Sequence, residues 1–397
     1  MQLPSHSNPS LPSRTGTTGG LPQSTVPSFR LIDGELGQVQ RLIEEQFAEA
    51  REPVSRLLGC ANIRGGKLIR PGLVLLSYRA VRDGSFGKGT TANGAVPVTG
   101  PEGVPERTYG EGAEKSPKLR KSATSGGPAT SENIRNTQYD AIRVAAIVEL
   151  IHNATLLHDD VMDGGQKRRG QPTVNSLWGD ETAVLLGDFL LGKAFRICAD
   201  LDPEITNIIA GTAVRVCEGE LRQVTERRNW QLSEPEYIAI ITEKSAALFS
   251  SCCLLGGLLA GGRETQTQSL ACFGLNAGIA FQITDDLLDI IGDESKTGKT
   301  LGSDIDKNKL TLAVIHLLRA SDEREKSAVI NSYLERVPRR EKESLAEMLG
   351  RFGSLEYTRM RTQEFVAKAL GALTELKEGR AKDALIETAT FIGQRAS

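Results

Sequence analysis

The stretch Glu149-Leu-Ile-His152-Asn-Ala154-Thr155-Leu-Leu-His158-Asp159-Asp160-Val-Met-Asp163-Gly-Gly-Gln-Lys167-Arg168-Arg169-Gly170 decides the reading of the fold. From residue 141 onward apolar residues recur at three- and four-residue spacing, which predicts a largely buried helix. Three carboxylates arrive at its C-terminal end. Successive helical residues turn by about 100°, so Asp159 and Asp163 fall within about 40° of each other, with Asp160 at the edge of that face. Like charges at this spacing repel by about 0.2–0.5 kcal/mol per pair. The helix dipole also disfavours negative charge at this end. A solvated acidic helix end would explain one such cluster, but stability alone does not choose this placement. A cation reverses the repulsion, and Mg2+ prefers a few carboxylates, retained waters and phosphate oxygens. Arg168 and Arg169 follow within six residues, and arginine forks match phosphate oxygens.

The same spacing returns in Ala280-Phe-Gln282-Ile-Thr-Asp285-Asp286-Leu-Leu-Asp289. Here the acids interrupt an otherwise apolar helix, and isolated buried carboxylates are too costly to be filler. Two such clusters predict one pocket with metal between them. Gln282 lies one turn before Asp285. Downstream, Gly298-Lys299-Thr-Leu-Gly-Ser-Asp304 with Lys307 and Lys309 forms a lysine-rich loop. Upstream, Gly65-Gly66-Lys67-Leu-Ile-Arg70-Pro71 opens a helix, where glycines let the backbone approach an anion. Lys67 and Arg70 share a face.

Helical periodicity also covers 182–199, 204–228, 234–261, 266–291, 309–320 and the C-terminal segments, with no convincing strand and no solenoid repeat. The fold class is therefore all-α: a single domain over residues 29–397. Residues 1–28 are rich in Ser, Pro, Thr and Gly and read as a disordered tail. The window 84–133 holds ten glycines and five prolines and reads as a low-complexity insertion between two helices that pack without it.

A net charge of −2 in 397 residues gives no global attraction for nucleic acid or anionic membrane. The six cysteines have no metal-ligand spacing and fall mostly in apolar stretches, which suits small core residues in a reducing cytoplasm. No apolar run approaches the roughly 18–20 residues that span a bilayer, and the N-terminus lacks a signal pattern. The expected protein is soluble and cytoplasmic, with room for peripheral membrane contact during product release.

Together these motifs resemble the trans-type polyprenyl diphosphate synthases, from about Ile32 to the C-terminus and interrupted at 84–133. The resemblance implies an all-α bundle around a deep central cavity, in a homodimer. It implies head-to-tail condensation of isopentenyl diphosphate with an allylic diphosphate. By the same resemblance Asp159, Asp163 and Asp285 are the main Mg2+ ligands, assisted by Asp160, Asp286 and Asp289. Lys67, Arg70, His152 and Arg169 hold isopentenyl diphosphate. Arg168, Lys244, Ser245, Gln282 and Lys299 hold the allylic diphosphate, with Lys309 nearby. Ser245 stands where the family often has threonine. His152 is seven residues before Asp159 and shares its face, whereas His158 reads as structural. A class I terpene cyclase would usually lack the second cluster. A non-catalytic synthase subunit would be expected to have lost one.

Ala154 and Thr155 lie one turn before the first cluster, and Val148 lies two turns further back. In the family, bulky aromatics here shorten the product. Their absence predicts a long-chain product of octaprenyl or solanesyl type, suited to quinone side chains, with geranylgeranyl as the runner-up.

Overall fold

The structure, a computed structural model, describes residues 26–60, 66–85, 131–168, 170–292, 307–335 and 345–395. A 3-10 turn (Pro27–Ile32) leads into α1 (Asp33–Ala48), α2 (Val54–Cys60) and α3 (Ile69–Ser85). Then come α4 (Ser131–Met162), a two-stranded hairpin of β1 (Lys167–Arg168) and β2 (Gln171–Pro172), and α5 (Val174–Trp178). Next are α6 (Asp180–Cys198), α7 (Pro203–Thr225), α8 (Glu234–Ile241), a π-turn (Thr242–Ala246), α9 (Ala247–Leu259) and α10 (Glu264–Ile291). The rest is α11 (Leu312–Ala320), α12 (Glu323–Glu335), α13 (Leu345–Arg351), α14 (Ser354–Ala372) and α15 (Arg380–Gln394).

Local chemistry sets the punctuation. Asp202 accepts a hydrogen bond from the Glu204 amide at 2.8 Å, and Pro203 takes the first helical position of α7, where its missing N–H costs nothing. Ser233 and Glu236 cap α8 reciprocally, again with a proline in the first turn. At the centre, α9 packs on α3, α4 and α10, and its Phe249 is fully buried, as is Phe273 on α10. Each such side chain contributes roughly 1.5–3 kcal/mol of transfer free energy.

Several sequence expectations shift here. The all-α reading holds apart from the short hairpin, whose pairing Arg168↔Gln171 is closed by Gly170 at φ 75°. Residues 26–28, read as the end of the tail, belong to the fold. Val26 and Ser28 are buried, and the Ser28 hydroxyl pairs with Thr388 on α15 at 3.0 Å. Helices α3 and α4 run into both margins of the 84–133 window. Its interior, 86–130, lies outside the described residues, as do residues 1–25 of the tail. Two helical stretches, Asn136–Met162 and Glu234–Leu259, are long and apolar enough by composition to cross a bilayer, contrary to the sequence reading. In each, 72% of the apolar window is buried inside the protein, which marks them as core helices.

Candidate active site

The first cluster sits where α4 ends. Within it the three aspartates divide their work. Asp160, at the edge of the face, is turned inward and buried. The hairpin folds back so that Arg168 donates from Nε to both of its carboxylate oxygens at 2.9 Å, and from Nη2 to Oδ1 at 2.7 Å. Burial lowers the affinity of Arg168 for its proton, but the bonds to Asp160 and the charges of Asp159 and Asp285 more than compensate, and its pKa rises. Arg168 therefore feels the charges of both clusters. Helix α9 packs on both α4 and α10, the helices that carry the two clusters.

Asp159 and Asp163 face the open side and differ from each other. Burial pushes the Asp159 carboxyl up to about 6, against the attraction of Lys244 and with help from Glu220 and Asp163. Asp163 is also desolvated, yet Lys309 and Lys307 hold its carboxyl below the ordinary range. Lys309 Nζ lies 3.0 Å from Asp163 Oδ2, while Lys307 Nζ at 3.3 Å and Arg227 Nη2 at 3.4 Å approach Oδ1.

Lys244 enters from the π-turn between α8 and α9. Its Nζ meets Glu220 Oε2 at 2.5 Å and Gln223 Oε1 at 2.7 Å, both on α7. Burial lowers its pKa, but Asp159 and Glu220 outweigh that and raise it. Gly219 makes the approach fit, because a Cβ there would collide with the Lys244 amide nitrogen. The π-turn lets neighbouring residues reach different partners, as such bulges often do at functional sites. Ser245 donates to Gln282 Oε1 at 2.5 Å, Gln282 donates to Asp286 Oδ1 at 2.7 Å, and the Tyr237 hydroxyl donates to Asp286 Oδ2 at 2.6 Å. Asp286 thus repeats the part of Asp160: it is buried and consumed by protein donors. Asp285 and Asp289 are half-buried, and Asp285 Oδ1 is 3.4 Å from Arg395 Nη2, just past the end of α15.

The upstream cations gather on aromatic faces. Lys67 Nζ stands 5.4 Å from the Phe391 ring, Arg70 is 5.0 Å from Phe249, and Arg395 is 5.1 Å from Phe281, itself 5.2 Å from Phe249. Burial and Arg395 lower the Lys67 pKa, opposed by Asp285. A cation surrounded this way is ready for an anion. His152 is half-buried on α4. His158 packs against α6, 3.2 Å from the Val184 carbonyl oxygen and 3.5 Å from Asp188. Arg169 and Lys299 lie outside the described residues.

Below the first cluster a cleft opens between α4, α7 and α9. It is lined by Val148 and Ile151, by Ile209, Thr212, Ala213 and Val216, and by Leu248, Ser251 and Leu255. Ile151 and Val148 are eight and eleven residues before Asp159, hence roughly 12 and 16 Å down the helix axis. The sequence pointed to Ala154 and Thr155 as the wall. Instead Ala154 is fully buried and the Thr155 hydroxyl donates to the His152 carbonyl at 2.8 Å, so neither lines the cleft.

Sequence reasoning missed Glu220, Gln223, Arg227, Tyr237 and Arg395. The first three were findable: they recur at i, i+3 and i+7, a polar face at the end of an otherwise amphipathic helix. Tyr237 and Arg395 carry no local signal.

Among the described residues no three His, Cys, Asp or Glu side chains converge into a closed metal cage. The donor set nevertheless fits a magnesium ion. Asp159 is a half-buried carboxylate whose desolvation outweighs the attraction of Lys244, and Mg2+ takes one or two carboxylates plus waters and phosphate oxygens, needing no all-protein cage.

The chain matches the polyprenyl synthetase family over residues 121–349. It is 34% identical over 271 residues to a short chain isoprenyl diphosphate synthase of Methanothermobacter thermautotrophicus, covering 67% of this chain and 83% of that one. It is 33% identical over 255 residues to the octaprenyl diphosphate synthase of Escherichia coli, covering 64% and 79%. Its fold matches a polyprenyl synthase from Caulobacter crescentus, complexed with calcium and isoprenyl diphosphate, with a TM-score of 0.74 and 26% identity over 93% and 97% of the two chains. This chain belongs to the polyprenyl synthetase family: it is a prenyl diphosphate synthase, a transferase with the all-α isoprenoid synthase fold.

Proposed function

We propose that the enzyme condenses isopentenyl diphosphate with an allylic diphosphate, head to tail, to make a long-chain all-trans polyprenyl diphosphate suited to quinone side chains. One observation carries the length assignment. Among the described residues, the cleft around Val148 and Ile151 is lined only by Val, Ile, Leu, Ala, Thr and Ser, with no aromatic side chain to stop a growing chain there. Chromatography of products made with labelled isopentenyl diphosphate tests it. A C15 end product would refute the open-wall argument, and a C20 product would select the geranylgeranyl alternative.

The geometry of the described residues supports the following division of labour. Asp159, Asp163 and Asp285, with Asp289, would hold Mg2+, which supplies charge for the departing diphosphate. Asp160 and Asp286 act one step back, fixing Arg168 and Gln282. Arg168, Lys244 and Lys309 stabilise negative charge as the allylic C–O bond breaks, with Lys299 as a fourth cation. Lys67, Arg70, His152 and Arg169 hold isopentenyl diphosphate so that its double bond attacks the allylic cation. The proton then passes to the released diphosphate, since no protein base is placed to take it by this reading. The apolar cleft excludes water that would quench the cation.

The reading includes a soluble, cytoplasmic homodimer. Leu185 and Phe195 on α6 are 61% and 62% exposed, and Val214 and Leu221 on α7 are 57% and 66% exposed. An apolar surface of this kind marks an interaction site, and a second copy would cover it. Turnover by the purified chain alone, lost in Asp159→Ala, separates this reading from that of a non-catalytic subunit.

A further inference from the structure

Beyond α7 the chain makes a tight turn that meets residues 307–309, just before α11. Arg228 and Asn308 both adopt left-handed backbone, φ 66° and 55°, and the Arg228 amide donates to the Asn308 carbonyl at 3.1 Å. Non-glycine residues rarely hold this conformation, and where they do the strain clusters at ligand clamps and switch regions. The neighbours of these two residues are Arg227, Lys307 and Lys309. All three converge on one carboxylate, that of Asp163.

Three cations thus share the carboxylate of Asp163. Arg227 is poorly used. Its contact with Asp163 is long, 3.4 Å, and its Nε is buried without a hydrogen-bond partner. A guanidinium whose role was to brace Asp163 would make the short forked pair seen between Arg168 and Asp160. Its side chain stays 26% exposed beside Asp163, with only this long contact to that carboxylate.

We propose that Arg227 is a further diphosphate-binding residue, held with Lys307 and Lys309 as one cationic bracket by the Arg228–Asn308 backbone bond. In the empty site the bracket rests on Asp163. When Asp163 turns to a metal ion, Arg227 loses that contact and its guanidinium can take a phosphate oxygen beside Lys307 and Lys309. The inference rests on the reading that a diphosphate binds at the first cluster.

Calorimetric titration of inorganic pyrophosphate into the full chain, with Mg2+ present, tests it. Arg227→Gln should weaken pyrophosphate binding about 10- to 100-fold, the loss of one or two charge-assisted hydrogen bonds. Mg2+ titrated without pyrophosphate should bind no more weakly, because Asp163 loses a competitor. Arg227→Lys, which keeps the charge but not the fork, should fall between. In turnover, KM for the allylic diphosphate should rise more than KM for isopentenyl diphosphate. Pyrophosphate affinity within twofold of wild type in Arg227→Gln overturns the proposal. If that variant does not fold, Arg227→Lys with wild-type affinity for pyrophosphate overturns it equally. Failure of the wild-type chain to bind pyrophosphate with Mg2+ would instead refute the underlying reading of the site.

Discussion

Asp159 and Asp163 belong to one motif, yet neutralising them should change stability in opposite directions. In the metal-free enzyme the Asp159 carboxyl titrates at about 6 instead of 3.8, mainly because burial disfavours its charge. A shift of that size corresponds to about 3 kcal/mol against the charged form. Its folded pKa lies above its unfolded pKa, so its contribution is intact below about pH 4 and is lost as pH rises through 6. Asp159→Asn never charges. It should therefore stabilise the metal-free protein by about 1–3 kcal/mol at pH 7.5 and by nearly nothing at pH 4. Lys244 keeps Glu220 at 2.5 Å in that variant, so it is not stranded. Asp163 has the reverse sign: although burial raises it, Lys309 and Lys307 depress its pKa, so its charge stabilises the fold at neutral pH and is lost in acid. Asp163→Asn leaves three crowded cations and should cost about 1–3 kcal/mol at pH 7.5. Urea unfolding in chelator, followed by tryptophan fluorescence and extrapolated linearly, measures both. Both variants should lose turnover. Changes of the same sign at pH 7.5, or an Asp159→Asn gain that persists at pH 4, would refute this account of the cluster.

Magnesium binding should release a proton near pH 6, and affinity should fall about tenfold per unit as pH drops below that, measured by calorimetry in buffers of different ionisation enthalpy. Ile151→Phe should shorten the product relative to wild type, and Val148→Phe, one turn deeper, should shorten it less; chromatography that shows unchanged lengths for both would place the elongating chain elsewhere. Asp160→Asn should destabilise the protein by about 2–4 kcal/mol and lower kcat by freeing the Arg168 fork, read by urea unfolding and steady-state kinetics. Phe195→Glu should convert the proposed dimer into monomer in sedimentation velocity experiments, since it puts a charge on the exposed face of α6.

Much of this protein follows from order along the chain. Periodicity decides that it is helical, because a buried helical stripe repeats every three to four residues whatever it packs against. The matching spacing of Asp159-Asp160-x-x-Asp163 and Asp285-Asp286-x-x-Asp289 decides that two carboxylate faces exist, since residues one turn apart must share a side. Tertiary structure decides how those residues are used. It takes Asp160 and Asp286 out of the open faces and gives them to Arg168, Tyr237 and Gln282. It also keeps Val148 on the wall of the cleft, adds Ile151 and leaves out Ala154 and Thr155, because neighbouring helices select which side of α4 faces the cleft. Partners such as Arg395, 110 residues from Asp285, have no local signature. Helical spacing fixes which side chains share a face, but their charges act through space, and the distances that govern them arise only when the helices pack.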